Sequence, residues 1–233
     1  MTNTLCIETS GAHCSLALSV AGQIYNLDRQ LQRSHNQHLL SLLDELLAQA
    51  GLRPPDIELV AFGCGPGSFT GVRIAAAACQ AIALASDAPV VALPSSLALA
   101  LSAQQAAPEA RSFVCSIKSR GDAYYLSTFV AADSTPLAVR QIREDELLDT
   151  PPAWLDDECG SDEAQAAWVG AGSQPPWWPP RITMPWMTQV FPRARDSMAW
   201  VIQQHEAGLS QSAEHALPRY IVGDSPWKKS ASG

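Results

Sequence analysis

The chain has 233 residues, with 15 Lys and Arg against 23 Asp and Glu and a net charge of −8. That balance excludes the extended basic footprint that phosphate neutralisation requires, so any nucleic acid is met through a partner. With 47% apolar and 16% charged residues, the chain is not of the disordered class and can bury the core of one large domain or two small lobes.

The amino terminus lacks a basic leader and Glu8 breaks its first apolar run, which predicts no secretory signal. Leu5-Cys6-Ile7 reads as a strand leading into a Thr9-Ser10-Gly11 turn; residues 15–20 and 24–30 read as two more, joined by Ala21-Gly22-Gln23. Three short-linked strands predict an antiparallel meander. Ser34 is placed as an N-cap with Gln37 three residues on, and Leu39, Leu40, Leu43, Leu46 and Leu47 fall at helical spacing up to Gly51. Residues 57–62 read as a buried strand ending in Gly63-Cys64-Gly65-Pro66-Gly67-Ser68-Phe69-Thr70-Gly71, where glycines permit a tight path into a helix over 70–86. The alanines of that helix suit close packing, and its most apolar stretch, 74–85, is read as too short and too polar to span a bilayer. Residues 89–92 form a short strand, and Ser95 or Ser96 is expected to cap a third helix running to about residue 105. This order predicts an α/β first lobe over 1–108, RNase H-like or actin-like, with helices covering a mixed sheet.

A smaller second lobe, 109–233, opens with a hairpin: strand 112–117, a turn at Arg120-Gly121-Asp122 and strand 124–131. All 7 Trp and more than half of the 17 Pro lie from Pro151 onward. The Pro/Trp-rich segment 175–186 is read as a structural loop whose indole rings cap a small core, with a polyproline ligand as the alternative. Asp196 is placed as the cap of a last helix over 197–206, and residues 227–230 as a loose tail, leaving open a return of the last segment to the first lobe. The 6 cysteines are scattered with no C-x-x-C pair, which predicts reduced thiols serving as core filler in a cytoplasmic protein.

The 65–73 loop joins a strand end to a helix start, where free N–H groups and the helix dipole favour an anion and Arg73 adds a cation. It is not a Walker A loop, nor G-x-G-x-x-G with a downstream acid, so spacing leaves phosphate binding and a purely structural turn both open. Glu8-Thr9-Ser10 sits where actin-like ATPases place a phosphate-contacting hairpin whose acid positions a metal-bound water. A two-metal nuclease needs several converging carboxylates, and only Glu8 lies at a sheet edge. His35 and His38 lack a third ligand for a metal, and the G-x-S-x-G elbow of serine hydrolases is absent.

Three segments together resemble one family. They are the Glu8-Thr9-Ser10 strand end, the Arg33-Ser34-His35-Asn36-Gln37-His38-Leu39-Leu40 helix start, and Gly65-Pro66-Gly67-Ser68-Phe69-Thr70-Gly71-Val72-Arg73-Ile74. They look like the bacterial TsaB (YeaZ) family, which helps make N6-threonylcarbamoyladenosine (t6A) at adenosine 37 of tRNAs reading codons that begin with adenine. Weaker similarity continues at residues 170–172, 192–194 and 218–220. The resemblance implies an actin-like, two-lobed accessory subunit with no catalytic residues, pairing as a heterodimer with the paralogous TsaD transferase and joined by the TsaE ATPase. It implies tRNA contact only through that complex, no membrane contact, and a homodimer left open for the chain alone. No cofactor is expected on this chain by itself; ATP and a metal belong to the partner complex. The family pairs through the first two helices of the first lobe, which assigns His35, Leu39, Leu40, Leu43, Arg73 and Ala76 to the partner interface. It leaves Glu8, Thr9, Ser10, Gly65, Gly67, Ser68 and Gly71 as a vestigial phosphate site. Glu8 replaces the family's usual Asp, His35-Asn36 its His-Ser, Ile117-Lys118-Ser119 its Asp-Ala-Arg, and Ile221-Val222 its Leu-Arg; the first and third changes argue against an independent ATP site. The alternative is a stand-alone actin-like ATPase or small-molecule kinase using Glu8, Thr9-Ser10 and the 65–71 loop.

Overall fold

The computed structural model describes residues 2–31, 35–132, 138–162 and 167–221. In the first sheet β1 (Thr4–Glu8), β2 (His13–Val20), β3 (Gln23–Gln30), β4 (Leu59–Gly65) and β5 (Val90–Pro94) lie in the order β3-β2-β1-β4-β5. The meander β1 to β3 is antiparallel, while β1, β4 and β5 run parallel, so Glu8, Gly65 and Pro94 end at one edge. The pleat sorts the side chains: Leu5, Ile7, Leu16, Leu18, Val60 and Phe62 face α1 (His35–Ala50) and α2 (Phe69–Ser86). Cys6, Ala17, Leu59, Ala61 and Leu93 face α3 (Ser95–Ala106).

The second sheet holds β6 (Ser112–Lys118), β7 (Tyr124–Ala131), β8 (Val139–Leu148), β9 (Trp168–Gly172) and β10 (Trp186–Met187) in the order β10-β9-β6-β7-β8. Helix α3 lies between the two sheets and is buried all round over residues 95–104, as a helix that is apolar on every side must be. Phe113, Cys115, Tyr125 and Phe129 meet it from the second sheet, and Met198 and Val201 of the last helix, α5 (Met198–Glu206), join the same core. On the outer face of the second sheet, Val114, Leu126 and Trp168 pack with Leu155 of α4 (Trp154–Cys159) and with Trp178, Ile182 and Met184. The Pro/Trp-rich segment is therefore a structural loop whose rings close a small core. The whole is an α/β arrangement of two mixed sheets with helical cover.

Several local expectations are corrected. Helix α3 follows Pro94 with no side-chain cap, because the Ser95 hydroxyl donates to Glu8 instead. Asp196 caps nothing: Ser197 precedes α5 without a side-chain cap bond. Strand β4 starts at Leu59, two residues late, after a 3-10 turn over Pro54–Asp56. Helix α2 is long and apolar enough, by length and composition alone, to cross a membrane, contrary to the reading of 74–85; here Gly71, Val72, Ala75, Ala76, Cys79 and Ile82 are buried in the fold. Ser34 and the 227–230 tail lie outside the described residues. All six cysteines are free and buried, and burial pushes the thiols of Cys14 and Cys64 up to about 12.

Candidate functional site

Ligands of open α/β sheets gather at the carboxyl edge of the parallel strands. Here that edge brings together every residue of the expected phosphate site, but bonds the two loops to each other. The Ser68 N–H donates to Ser10 O at 2.6 Å, and the Thr9 hydroxyl donates to Gly71 O at 2.8 Å. A Cβ on Gly67 would stand 2.5 Å from Ser10 O, and one on Gly71 2.0 Å from Thr9 O, so the glycines permit a backbone-to-backbone seam. Ser68 caps α2, its Oγ accepting from Gly71 N at 3.3 Å and its carbonyl from Val72 N at 3.0 Å. The N–H groups of Ser68, Gly71 and Val72 are thus engaged within the chain.

Glu8 is enclosed rather than presented. Its Oε1 accepts from Ser10 N at 2.5 Å and its Oε2 from Ser95 Oγ at 2.9 Å. Gly63 makes the room, since a Cβ there would lie 2.1 Å from Oε2. Burial pushes the Glu8 pKa up, and the hydrogen bonds from Ser10 and Ser95 offset that only in part. Arg73, expected to face the loop, stacks its guanidinium 3.1 Å over the Phe69 ring and 5.1 Å from that of Tyr220, and donates to Phe69 O at 3.0 Å.

Residues 216–221 form a strap across the same edge, with no counterpart among the expected site residues beyond the resemblance at 218–220. Gln80 of α2 donates to Ala216 O at 3.2 Å, the Arg219 N–H donates to Cys64 O at 2.7 Å, and Tyr220 meets Phe69 with ring centroids 6.2 Å apart. The Arg219 guanidinium lies 3.8 Å from Glu144 on β8, and Ile221 packs into the core between the sheets. Beneath it lies a second carboxyl, Asp145, also pushed up by burial against the hydroxyls of Ser96 and Ser127 and the Arg219 charge.

On the expected partner face, Leu39, Leu43 and Ala76 are 3%, 5% and 4% exposed and belong to this chain's own core. A leucine stripe that faces a sheet is spent on that sheet, so these three are corrected from partner contacts to core. Leu40 points outward at 66% exposure. His35 begins α1; its side chain lies outside the description. Among the described residues, no three His, Cys, Asp or Glu side chains come together as a metal site.

A family model for TsaD, described as tRNA N6-adenosine threonylcarbamoyltransferase, matches residues 27–135. The tRNA threonylcarbamoyladenosine biosynthesis protein TsaB of Haemophilus influenzae is 36% identical over 126 residues, 54% of this chain and 53% of that protein, so the match spans about half of that relative. The protein of the same name from Escherichia coli is 26% identical over 230 residues, 97% of this chain and 96% of its own. Among solved structures, YeaZ from Pseudomonas aeruginosa superposes with a TM-score of 0.80 at 28% identity, covering 95% of this chain and all of that one.

Proposed function

We propose a function from one premise: the chain resembles the bacterial TsaB (YeaZ) family in sequence and fold along nearly its whole length. It acts in the biosynthesis of t6A in tRNA, the process its relatives are named for. Its part is that of a non-catalytic cytoplasmic subunit that docks on and activates a TsaD-like transferase through the α1–α2 face, with TsaE joining the assembly. ATP and a metal belong to that complex, and tRNA reaches this chain only through it.

The seam between residues 9–10 and 67–71 carries the non-catalytic part of this reading. An ATPase of this fold would turn those two loops toward phosphate, whereas here Ser68 N–H and Thr9 Oγ1 are bonded across to the opposite loop. The match of residues 27–135 to a TsaD model supports a partner with the same first-lobe build.

The test is light scattering behind size-exclusion chromatography, with the chain alone and mixed with the TsaD of its own organism, beside calorimetric titration of the isolated chain with MgATP. The expected result is a 1:1 complex and no heat of nucleotide binding by the chain alone. Tight MgATP binding that Gly67→Asp abolishes, with no complex, would replace this reading with a stand-alone ATPase or kinase.

A further inference from the structure

The layer over the α1–α2 side of the first sheet has three members. Helix α1 packs on β2 and β3, α2 on β1 and β4, and residues 211–221 take the remaining flank. Gln211 pairs with Val90 at the edge of β5, and Ala213 and Ala216 are buried in the same core as the two helices. From Ala216, beside Gln80, to Tyr220, beside Phe69, the strap runs back along α2 toward its first turn.

The outer surface of this layer is apolar along α2, and α1 and the strap each set exposed apolar side chains among polar ones. Among the described residues, eight large apolar side chains are exposed, and five of them are here: Leu40 on α1, Phe69 and Leu84 on α2, Leu217 and Tyr220 on the strap. Exposed Ala77 and Ala81 lie between Phe69 and Leu84 on α2, so another helix can approach closely along the middle. A patch of this kind marks an interaction surface rather than the scatter normal for a monomer.

We propose that the strap is the third element of the docking surface, with Leu217 and Tyr220 contacting the partner beside α1 and α2. This rests on the accessory-subunit reading above. The occupant is the TsaD-like chain: the TsaD model matches residues 27–135, a span that contains both helices, so the partner presents the same helix pair. Two such pairs meeting about an approximate two-fold axis put α2 against its counterpart and leave one flank of each to α1 and the other to the strap. The strap's inner side joins the two sheets through Arg219, so the surface that meets the partner is continuous with the segment that links β4 to β8.

The test is the affinity of the full chain for its TsaD partner, by surface plasmon resonance, for wild type, Leu84→Glu, Leu217→Glu, Tyr220→Ala and Ile24→Glu. Ile24 is exposed on edge strand β3, at the end remote from the strap, and serves as the control. Circular dichroism melts of each isolated variant keep unfolding apart from loss of contact. Leu84→Glu and Leu217→Glu are each expected to weaken pairing at least about tenfold, Tyr220→Ala to weaken it in the same direction, and Ile24→Glu to leave it within about twofold. If Leu84→Glu weakens pairing and both strap variants pair as wild type does, the strap is not part of the surface and the subunit reading stands. If wild type does not pair with TsaD at all, both fall. A wild-type homodimer that excludes TsaD and is broken by Leu217→Glu overturns the assigned occupant, making it a second copy of this chain.

Discussion

Glu8 shows what a single side chain contributes. Because burial raises its pKa, the native state holds a proton at pH values where the unfolded chain, with the ordinary value of 4.5, has lost it. The fold therefore loses stability as pH rises from about 4.5 through the raised value, and regains it on acidification across the same window. Glu8→Gln keeps an acceptor for Ser10 N and removes the proton, so the variant should gain thermal stability over wild type as pH rises from about 4.5 upward. Melting both proteins by circular dichroism across that range checks this, and a difference constant with pH would mean that Glu8 ionises at no cost. The sequence put Glu8 at a sheet edge through its place after an apolar triplet. It could not show that Gly63 clears space for the carboxyl or that Ser95, 87 positions away, donates to it. Both depend on the parallel pairing of β1 with β4 and β4 with β5.

At the level of elements, hydrophobic period decided most of what was legible. Leucine spacing in α1 and the inward Tyr25 and Leu27 of β3 follow from one buried face, whereas β1 and β2, buried on both faces, read as strands from short apolar runs between turn residues. Period could not tell that Leu39, Leu43 and Ala76, which the resemblance assigned to the partner, lie in the core, because it locates an apolar stripe without saying what covers it. In α1 the stripe of Leu39, Leu43, Leu46 and Leu47 lies on the sheet, and Leu40 stands outside it. Leu39→Ala should therefore cost about 2–4 kcal/mol of folding stability, while Leu40→Glu should stay within about 0.5 kcal/mol. Urea denaturation of the isolated chain separates these, and equal midpoints for the two variants would contradict the burial pattern. Strands β8 to β10 were not legible for local reasons. Edge strand β8 carries Arg140, Arg143, Glu144 and Glu146, charges that blunt an edge against aggregation and also disguise it as a loop. Strand β9 contains two glycines, and β10 has only two residues.

For the molecule as a whole, the decisive element is α3, whose residues are shared by the cores beneath both sheets. Neither sheet can open that core without exposing the other's side chains, so the two should unfold together. The 7 tryptophans all lie in the second half of the sequence, and Trp154, Trp168, Trp177, Trp178 and Trp186 gather in the outer core of the second sheet, which weights their fluorescence toward that sheet. Urea transitions followed by tryptophan fluorescence and by far-ultraviolet circular dichroism should coincide; a lower midpoint for fluorescence would reveal a second sheet that melts alone. The strap that spans the two sheets has a further effect, because it is covalently attached to the place it fills. A tethered segment meets its own site at an effective concentration on the order of millimolar. Any molecule that would hydrogen-bond the Cys64 carbonyl must therefore outcompete an Arg219 N–H that is already bonded to it and cannot diffuse away.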